Sequence, residues 1–308
     1  MNLFSSLFGS KVPRPWFESD GLDAYLARAK LDPETETFVR DLARDGFATV
    51  DLGDAARVLC DQAIAETESY FTPGITRVQD AWYESQAVRR LAVWPEMRRL
   101  LKAAYGRDPF PFQTLNFRQG SQQSIHSDTI HFHSQPERFM CGVWIALEDV
   151  RDEAGPLIYH PGSHRMPVMT MRGAGVNDER PTAQHYEQVY VPRYAEVVAE
   201  SGLPQHRAIL PKGWALVWAA NLAHGGSPIQ QEGATRRSLV VHNFFDDCVY
   251  YTPLHSSEPG GYTHVRLPPN IRTGWPYWPR RNGRPVRLSR SLVRDAISRT
   301  FDRRPLPM

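Results

Sequence analysis

The chain has 308 residues, of which 41% are hydrophobic and 23% charged, a composition typical of a globular protein with one large domain or two small ones. Its formal net charge is only +2, so the whole chain gives no strong indication of a nucleic-acid partner. Three widely separated cysteines argue against a disulfide scaffold and favour a reducing, cytoplasmic compartment, and no apolar run is long enough for a transmembrane segment.

The first third of the chain is expected to be mainly helical. An N-terminal arm at 1–33 is followed by a helical support at 34–110. Within this support, apolar residues recur at helical intervals. The segments with this pattern are 34–47, 53–71, 86–93 and 95–106. Between the first two, the β-rich segment 47–52 predicts a short strand.

From residue 111 the pattern changes to short runs of β-branched and aromatic residues, separated by Gly, Pro, Asp and Asn. Strands are predicted at 112–119, 139–147, 155–160, 206–211, 214–219 and 237–245. Many short strands with turn signals favour a sandwich or barrel, so residues 111–250 are interpreted as the core. The polar, irregular segment 165–205 is interpreted as an insertion between strands, of the kind that often covers a site.

The last part of the chain, 251–308, is interpreted as an Arg- and Pro-rich extension. It ends in a predicted short helix, SRSLVRDAISRTF, for which either Ser289 or Ser291 is a suitable cap. Leu292, Ala296 and Ile297 are the apolar residues with which this helix would dock. The arginines are most simply solvated, and a patch for an anionic partner is the alternative.

Three potential metal ligands lie in SQQSIHSDTIHF at 121–132. If His126 and Asp128 lie on a strand edge, their separation of two places both side chains on one face. A third ligand must then come from a distant segment, and the best candidate is His224, which follows the predicted strand at 214–219. Two histidines and one carboxylate on one face of an ion form the facial triad of non-haem iron(II) oxygenases.

Downstream of His224, the sequence TRRSLVVHNFF suggests a partner for the open metal positions. Arg236 and Ser238 are two apart at the start of a predicted strand and therefore share a face. A guanidinium beside a hydroxyl suits the carboxylate of a small diacid. Arg237 points the other way and is expected to be solvated.

Taken in order, these motifs resemble the phytanoyl-CoA dioxygenase family of iron(II)- and 2-oxoglutarate-dependent oxygenases. The matching pieces, between Phe112 and Phe245, are HSD at 126–128, Trp144, GPLIYHPGSH at 155–164, HGG at 224–226 and RRSL at 236–239. The resemblance implies a mainly β fold with flanking helices. Its core would be a double-stranded β-helix, the cupin-like jelly roll, with a helical N-terminal part.

The resemblance also implies roles for individual residues. His126, Asp128 and His224 would ligate iron(II), and Arg236 would anchor the distal carboxylate of 2-oxoglutarate. Ser238 would assist Arg236, while Trp144 and Gln123 match family positions near the cosubstrate. The implied reaction uses O2 to oxidise a C–H bond of a small metabolite, with release of succinate and CO2. Because the loop before Arg236 is one residue longer than in some relatives, Arg237 stays the alternative anchor.

Each of these residues also has a structural interpretation. Trp144 fits a plain core position, and Gln123 and Ser238 fit turns. His131 and His133 lack a carboxylate in the right phase and are interpreted as pocket or rim residues. The segment 161–164 is interpreted first as a tight turn, and a position of His164 near the substrate is the alternative.

Two other functions compete with an oxygenase: a non-catalytic metabolite-binding jelly-roll protein, and a barrel isomerase or hydrolase that uses another divalent ion. The primary substrate cannot be read from the sequence. Arg172, Arg180 and Arg193 in the insertion hint at an anionic group on it. The oligomeric state stays open.

Overall fold

The computed structural model describes residues 13–257, 259–301 and 304–308. The first twelve residues of the expected N-terminal arm therefore lie outside the described residues. The rest of that segment is folded onto the protein, because it contains a short helix and buries Phe17 and Leu26. None of the helices in the described ranges combines the length and apolar character needed to cross a membrane.

The helices occupy mainly the first third of the chain, as the apolar periodicity predicts. Those in the described residues are α1 (Leu22–Ala29), α2 (Pro33–Asp45), α3 (Asp54–Thr67), α4 (Gln86–Ala92), α5 (Pro95–Tyr105), α6 (Ala183–His185), α7 (Val191–Glu200) and α8 (Arg290–Phe301). The bounds of α2 follow from local chemistry. Asp32 accepts a hydrogen bond from the Thr35 N–H at 2.9 Å, and Gly46 ends the helix with a φ of 80°.

The strands fall where β-branched and aromatic runs occur. Those in the described residues are β1 (Phe47–Asp51), β2 (Arg77–Gln79), β3 (Pro109–Phe117), β4 (His133–Gln135), β5 (Met140–Ala146), β6 (Leu157–Tyr159), β7 (His206–Arg207), β8 (Trp214–Ala219), β9 (His224–Gly226), β10 (Ser238–Phe245), β11 (Val249–Tyr251), β12 (Val265–Arg266), β13 (Arg280–Arg281), β14 (Arg284–Pro285) and β15 (Leu306–Pro307). Each run predicted as a strand contains one.

The largest sheet has seven strands in the order β1-β8-β5-β10-β3-β2-β15, and every pair in it is antiparallel. Its register aligns Gln79, Leu115, Val240, Trp144 and Leu216 in one row across the sheet. Side chains alternate between the two faces of a strand, so this row defines one face.

The opposite face of the large sheet is the hydrophobic core. Val143 and Val241 lie on this face and pack with Leu42 of α2 and Leu100 of α5. All four side chains are at most 2% exposed. Burying a side chain of this size contributes roughly 1.5–3 kcal/mol relative to leaving it in water, so this helical layer fixes the sheet in place.

Two smaller sheets, with strand orders β12-β11-β4 and β7-β6-β9, complete the β core. A cavity of about 1110 Å³ is lined by Leu115 and Val240 from the large sheet, Leu157 and His224 from one small sheet, and Arg266 from the other. The cavity therefore lies between the large sheet and the two small ones.

The segment 165–205 is more regular than its polar composition suggests. It contains α6, a π-helical turn over Tyr186–Tyr190, and α7. Tyr186, Tyr190 and Tyr194 stack with ring centroids 5.6 and 5.9 Å apart, and Tyr190 and Tyr194 are buried. Their spacing of four places the three tyrosines on one helical face. Because the residues around them are mostly polar, this helical period is not apparent in the sequence.

The C-terminal extension is also folded against the protein. The predicted helix is present as α8, and Ser289 rather than Ser291 accepts the Leu292 N–H, at 3.3 Å. Leu292 and Ala296 line the cavity, whereas Ile297 is 43% exposed and is not a docking residue. Beyond α8, β15 pairs with β2 and extends the large sheet.

Candidate metal centre

The backbones of His126 and His224 are joined directly. Each donates its N–H to the carbonyl of the other, both at 2.9 Å, in a single antiparallel bridge. Gly225 permits this approach, since a Cβ there would lie 2.8 Å from the Gln123 carbonyl oxygen. Asp128 is not on a strand, contrary to the sequence expectation, but begins a 3-10 turn over Asp128–Ile130.

Hydrogen bonds to carbonyl groups fix the tautomer of both histidines. The Nδ1 of His126 donates to the Ser124 carbonyl at 2.8 Å, and the Nδ1 of His224 donates to the Leu222 carbonyl at 2.9 Å. Because a carbonyl oxygen can only accept, the proton of each neutral ring is on Nδ1. Both rings therefore present the Nε2 lone pair, the form in which imidazole binds a metal.

Among the residues that the structure describes, His126, Asp128 and His224 form one group whose ligand atoms all lie within 4.8 Å of one another. The His224 Nε2 is 3.9 Å from the Asp128 Oδ1. Burial lowers the pKa of His126 and of His224 to about 4, so both rings are neutral at pH 7. Two neutral imidazoles and a carboxylate, drawn together and buried, fit a divalent transition metal such as iron(II).

The second oxygen of the Asp128 carboxylate is held by Trp218. The indole Nε1 donates to Oδ2 at 2.7 Å, which leaves Oδ1 on the side of His224. Gly142 lies opposite Trp218 on the neighbouring strand, and a Cβ there would be 2.2 Å from the indole Cε2. The Trp218 indole therefore occupies the space that the side chain of any residue other than glycine would need at position 142. Sequence reasoning did not identify Trp218, because no local pattern connects it to a residue 90 positions away.

His242 is a further buried histidine that sequence reasoning missed. Its Nε2 is 3.8 Å from the Asp128 Oδ2, and its Nδ1 is 2.9 Å from the Gln113 Oε1. Burial lowers the pKa of His242 to about 4, so this ring is neutral at pH 7 as well. Side chains alternate along a strand, so His242 lies on the same cavity face as Ser238 and Val240. This alternation is the sequence pattern from which His242 could have been identified.

Arg236 lies in the same cavity and is only 2% exposed. One Nη donates to the Ser238 Oγ at 2.9 Å, and the guanidinium carbon is 5.6 Å from the Trp144 ring centroid and 5.8 Å from that of Phe117. The buried Nε has no hydrogen-bond partner within the described residues. Burial lowers the pKa of Arg236 to about 10, so it is still charged at pH 7. A buried cation with an open donor fits an anionic ligand such as the carboxylate of 2-oxoglutarate.

Arg237 points away from Arg236, as predicted, but it is not solvated. Its guanidinium hydrogen-bonds to Glu68 and lies 3.7 Å from a Glu148 carboxylate oxygen, and its side chain is 18% exposed. Two carboxylates therefore already engage the residue that was the alternative anchor.

The other residues singled out in the sequence separate into two groups. Gln123 and Trp144 both line the cavity, and the Gln123 Nε2 is 3.2 Å from the His126 Nε2. His131 lines it too, with its Nε2 3.1 Å from the Tyr186 hydroxyl. His133 instead pairs with the Tyr251 hydroxyl at 2.9 Å, and His164 packs beneath Gly46.

Comparison with known proteins gives one family. The family model for phytanoyl-CoA dioxygenase (PhyH) matches residues 27–238. A curated relative from Danio rerio, phytanoyl-CoA dioxygenase domain-containing protein 1, is 26% identical over 121 residues, which cover 36% of this chain and 42% of that relative. The matched region therefore spans less than half the length of this relative.

Two solved structures show the fold. The non-haem alpha-ketoglutarate-dependent epimerase SnoN from nogalamycin biosynthesis is 21% identical, with a TM-score of 0.57 over 84% of this chain and 98% of SnoN. EctD from S. alaskensis, solved with 2-oxoglutarate and 5-hydroxyectoine, is 17% identical, with a TM-score of 0.55 over 74% of this chain and 81% of EctD. The expected fold, a mainly β jelly-roll core with flanking helices, is confirmed.

Proposed function

The chain belongs to the phytanoyl-CoA dioxygenase family, and from this premise we propose that it is a non-haem iron(II)- and 2-oxoglutarate-dependent oxygenase. It would oxidise a C–H bond of a small metabolite and release succinate and CO2. The observation that carries the proposal is one cavity containing both the buried His-Asp-His group and a buried arginine, Arg236, whose Nε has no hydrogen-bond partner among the described residues. A protein that only bound a metabolite would have no use for this combination.

His126, Asp128 and His224 would hold the iron on one side and leave the other side to ligands. When bound, iron(II) with 2-oxoglutarate and O2 supplies the oxidising chemistry, which no side chain provides. The protein supplies orientation. Trp218 holds the Asp128 Oδ2, so the carboxylate presents Oδ1 in a fixed direction toward His224.

Arg236 and Ser238 would bind the distal carboxylate of the cosubstrate. The guanidinium fork supplies parallel donors, and the Ser238 hydroxyl, which already accepts from Arg236, can donate its own proton to a carboxylate oxygen. Trp144 and Phe117 flank the guanidinium and exclude water from it, which strengthens the charge interaction. Trp144 therefore contributes packing to the cosubstrate site.

Gln123 lies beside the candidate metal ligands. Its amide Nε2 is 3.2 Å from the His126 Nε2, the atom that would bind iron. That nitrogen has one lone pair, so Gln123 would have to turn its amide away when His126 holds iron. The amide could then donate to an oxygen of the cosubstrate, the role that the family resemblance implies.

The test is anaerobic titration with iron(II) and 2-oxoglutarate, followed by an assay of succinate in air. We expect the weak visible charge-transfer band of the chelate, and succinate formation that depends on iron. Asp128→Ala should lower turnover by more than about 100-fold, since changes to groups that merely orient a ligand already cost about 10–100-fold. Full turnover in this variant, or no band in the unaltered protein, would overturn the proposal in favour of a metabolite-binding protein.

The organisation and setting of the enzyme also belong to the proposal. The chain would act as a single domain, with the jelly-roll catalytic core at 111–250, helical support at 34–110 and a pocket-closing extension at 251–308. Its primary substrate would be a small molecule, in keeping with the 5-hydroxyectoine that EctD binds. A cytoplasmic location rests on the low cysteine content.

A further inference from the structure

Four residues form one row across the large sheet beside the candidate metal centre. Gln113, His242, Gly142 and Trp218 are paired in register on the neighbouring strands β3, β10, β5 and β8. Residues opposite one another on antiparallel strands point to the same face. The row therefore presents an amide, an imidazole and an indole to the cavity, and all three side chains line it. The proposed iron and 2-oxoglutarate sites use only the indole.

His242 and Trp218 approach the same carboxylate oxygen. The Trp218 Nε1 donates to the Asp128 Oδ2 at 2.7 Å, whereas the His242 Nε2 lies 3.8 Å from that oxygen. A separation of 3.8 Å is too long for a hydrogen bond. His242 is therefore a neighbour of Asp128 that is not bonded to it.

Gln113 determines which nitrogen of His242 carries the proton. The His242 Nδ1 lies 2.9 Å from the Gln113 Oε1, and an amide oxygen can only accept, so Nδ1 is the donor. In the neutral ring, Nε2 then has a lone pair. Among the residues that the structure describes, this nitrogen has no hydrogen-bond partner. Two acceptors, Nε2 and the Asp128 Oδ2, thus lie side by side, an arrangement that favours a donor from a ligand.

His242 is remote from the residue that would anchor the cosubstrate. It follows Arg236 by six residues along one extended segment, and at about 3.3 Å per residue the two are roughly 20 Å apart. Val240 lies between them on the same face and also lines the cavity. A five-carbon diacid held by Arg236 is too short to reach His242. The free nitrogen is therefore on the side of the cavity that is left for the primary substrate.

Aromatic rings flank the His242 imidazole. The Phe132 ring centroid is 4.9 Å from that of His242, and the Phe112 ring meets Phe132 edge to face at 5.1 Å. Both phenylalanines line the cavity. A ligand at His242 would thus contact one polar acceptor and an apolar wall, the combination that orients small molecules in protein pockets.

We propose that the His242 Nε2 accepts a hydrogen bond from a hydroxyl or amino group of the primary substrate and thereby holds this substrate beside the candidate metal centre. The inference rests on the proposed function and defines the substrate class of the same site. The substrate carries an O–H or N–H donor next to the part that is oxidised, and its carbon skeleton contacts Phe112 and Phe132. Gln113 acts as a positioning residue, because it keeps the proton on Nδ1.

The first test is nitrogen NMR of the metal-free full chain labelled with ¹⁵N-histidine. The ring signals that disappear in His242→Phe belong to His242, and His242→Gln provides the same assignment if the phenylalanine variant does not fold. We expect a protonated Nδ1 and an unprotonated Nε2. The opposite tautomer would make Nε2 a donor and would overturn the proposal.

The second test compares three probes that differ in one group: 3-phenylpropan-1-ol, 3-phenylpropan-1-amine and 1-fluoro-3-phenylpropane, which has no donor. Each is titrated calorimetrically into the full chain loaded anaerobically with iron(II) and 2-oxoglutarate, so that the metal occupies the other histidines. We expect the alcohol or the amine to bind about 2- to 12-fold more tightly than the fluoride, the range for one net hydrogen bond. The tighter of the two identifies the preferred donor.

His242→Phe should remove this preference and leave the affinity for the fluoride unchanged. His242→Gln can present its Oε1 as an acceptor and should restore part of the preference, which a purely structural role of His242 would not produce. His133→Phe is the matched control, because His133 binds the Tyr251 hydroxyl through Nδ1 at 2.9 Å and is not among the described residues that line the cavity. It should have no effect.

Three further results would overturn the proposal: equal binding of all three probes, no measurable binding of any of them, or a preference that survives His242→Phe. A variant that lost iron(II) affinity but kept the preference would show that His242 supports Asp128 and not the substrate. Both tests are made without turnover. A chain that lacks the chelate band yet shows the expected tautomer and a preference that depends on His242 would therefore refute the proposed function alone.

Discussion

The inner and outer halves of the cavity are built differently. In the inner half, His126, Asp128, His224 and Arg236 are at most 6% exposed, and a hydrogen bond holds one polar atom of each side chain. The outer half comes from the short strands β2, β12 and β15 and from α8, and its Leu306 is 53% exposed. A buried side chain that packing and a hydrogen bond hold has one position, whereas an exposed wall can change without disturbing the core.

This contrast suggests a division of labour. The inner half is suited to one type of reaction, because the large sheet and the backbone bridge between His126 and His224 fix its candidate metal ligands and its arginine in place. The outer half determines which molecule reaches that chemistry. Substitutions in the inner half should therefore affect metal or cosubstrate, and those in the outer half only the substrate.

The largest effect in this comparison is expected at Arg236. Arg236→Ala should raise the apparent 2-oxoglutarate constant by roughly 150- to 4000-fold, since breaking a buried ion pair costs about 3–5 kcal/mol. Succinate formation against 2-oxoglutarate concentration measures it. Arg237→Ala is the adjacent control and should leave the constant unchanged, because Arg237 pairs with Glu68 and Glu148. If Arg237→Ala raised the constant and Arg236→Ala did not, Arg237 would be the residue that anchors 2-oxoglutarate.

A smaller effect is expected at Trp218. Trp218→Phe removes the donor to the Asp128 Oδ2 but keeps an aromatic ring, and should weaken iron(II) binding about 10–100-fold. Anaerobic metal titration measures this without turnover. Trp214→Phe on the same strand provides the control, because Trp214 is not among the described residues that line the cavity. Equal metal affinity in the two variants would show that the indole only fills space.

The smallest effect is expected in the outer wall. Leu306→Ala removes an exposed side chain from β15, so the free energy of unfolding should change by no more than about 0.5 kcal/mol. The chelate band and the 2-oxoglutarate constant should also stay the same. Thermal unfolding and the anaerobic titration check both. Loss of the chelate band in Leu306→Ala would show that the outer half also affects the metal and cosubstrate sites.

Much of the fold could be predicted because its signals are local. Apolar spacing gave the helices α2 to α5, and β-branched runs gave the main strands of the large sheet. The helical part of 165–205 was missed, because its stripe of tyrosines four residues apart is surrounded by polar residues. The strand β15 was missed too. It is two residues long and forms only because β2 offers an edge to pair with.

The sequence by itself determined the kinds of donor in the candidate site, because residue types are read directly from it, and the spacing of two between Arg236 and Ser238 predicted that these side chains lie together. Only the tertiary structure decided that Trp218 holds Asp128 across 90 positions, and that His242 lies beside the same carboxylate. Such pairings depend on the register between strands remote in sequence. A periodic pattern tells which face a side chain takes, but not which distant side chain it meets there.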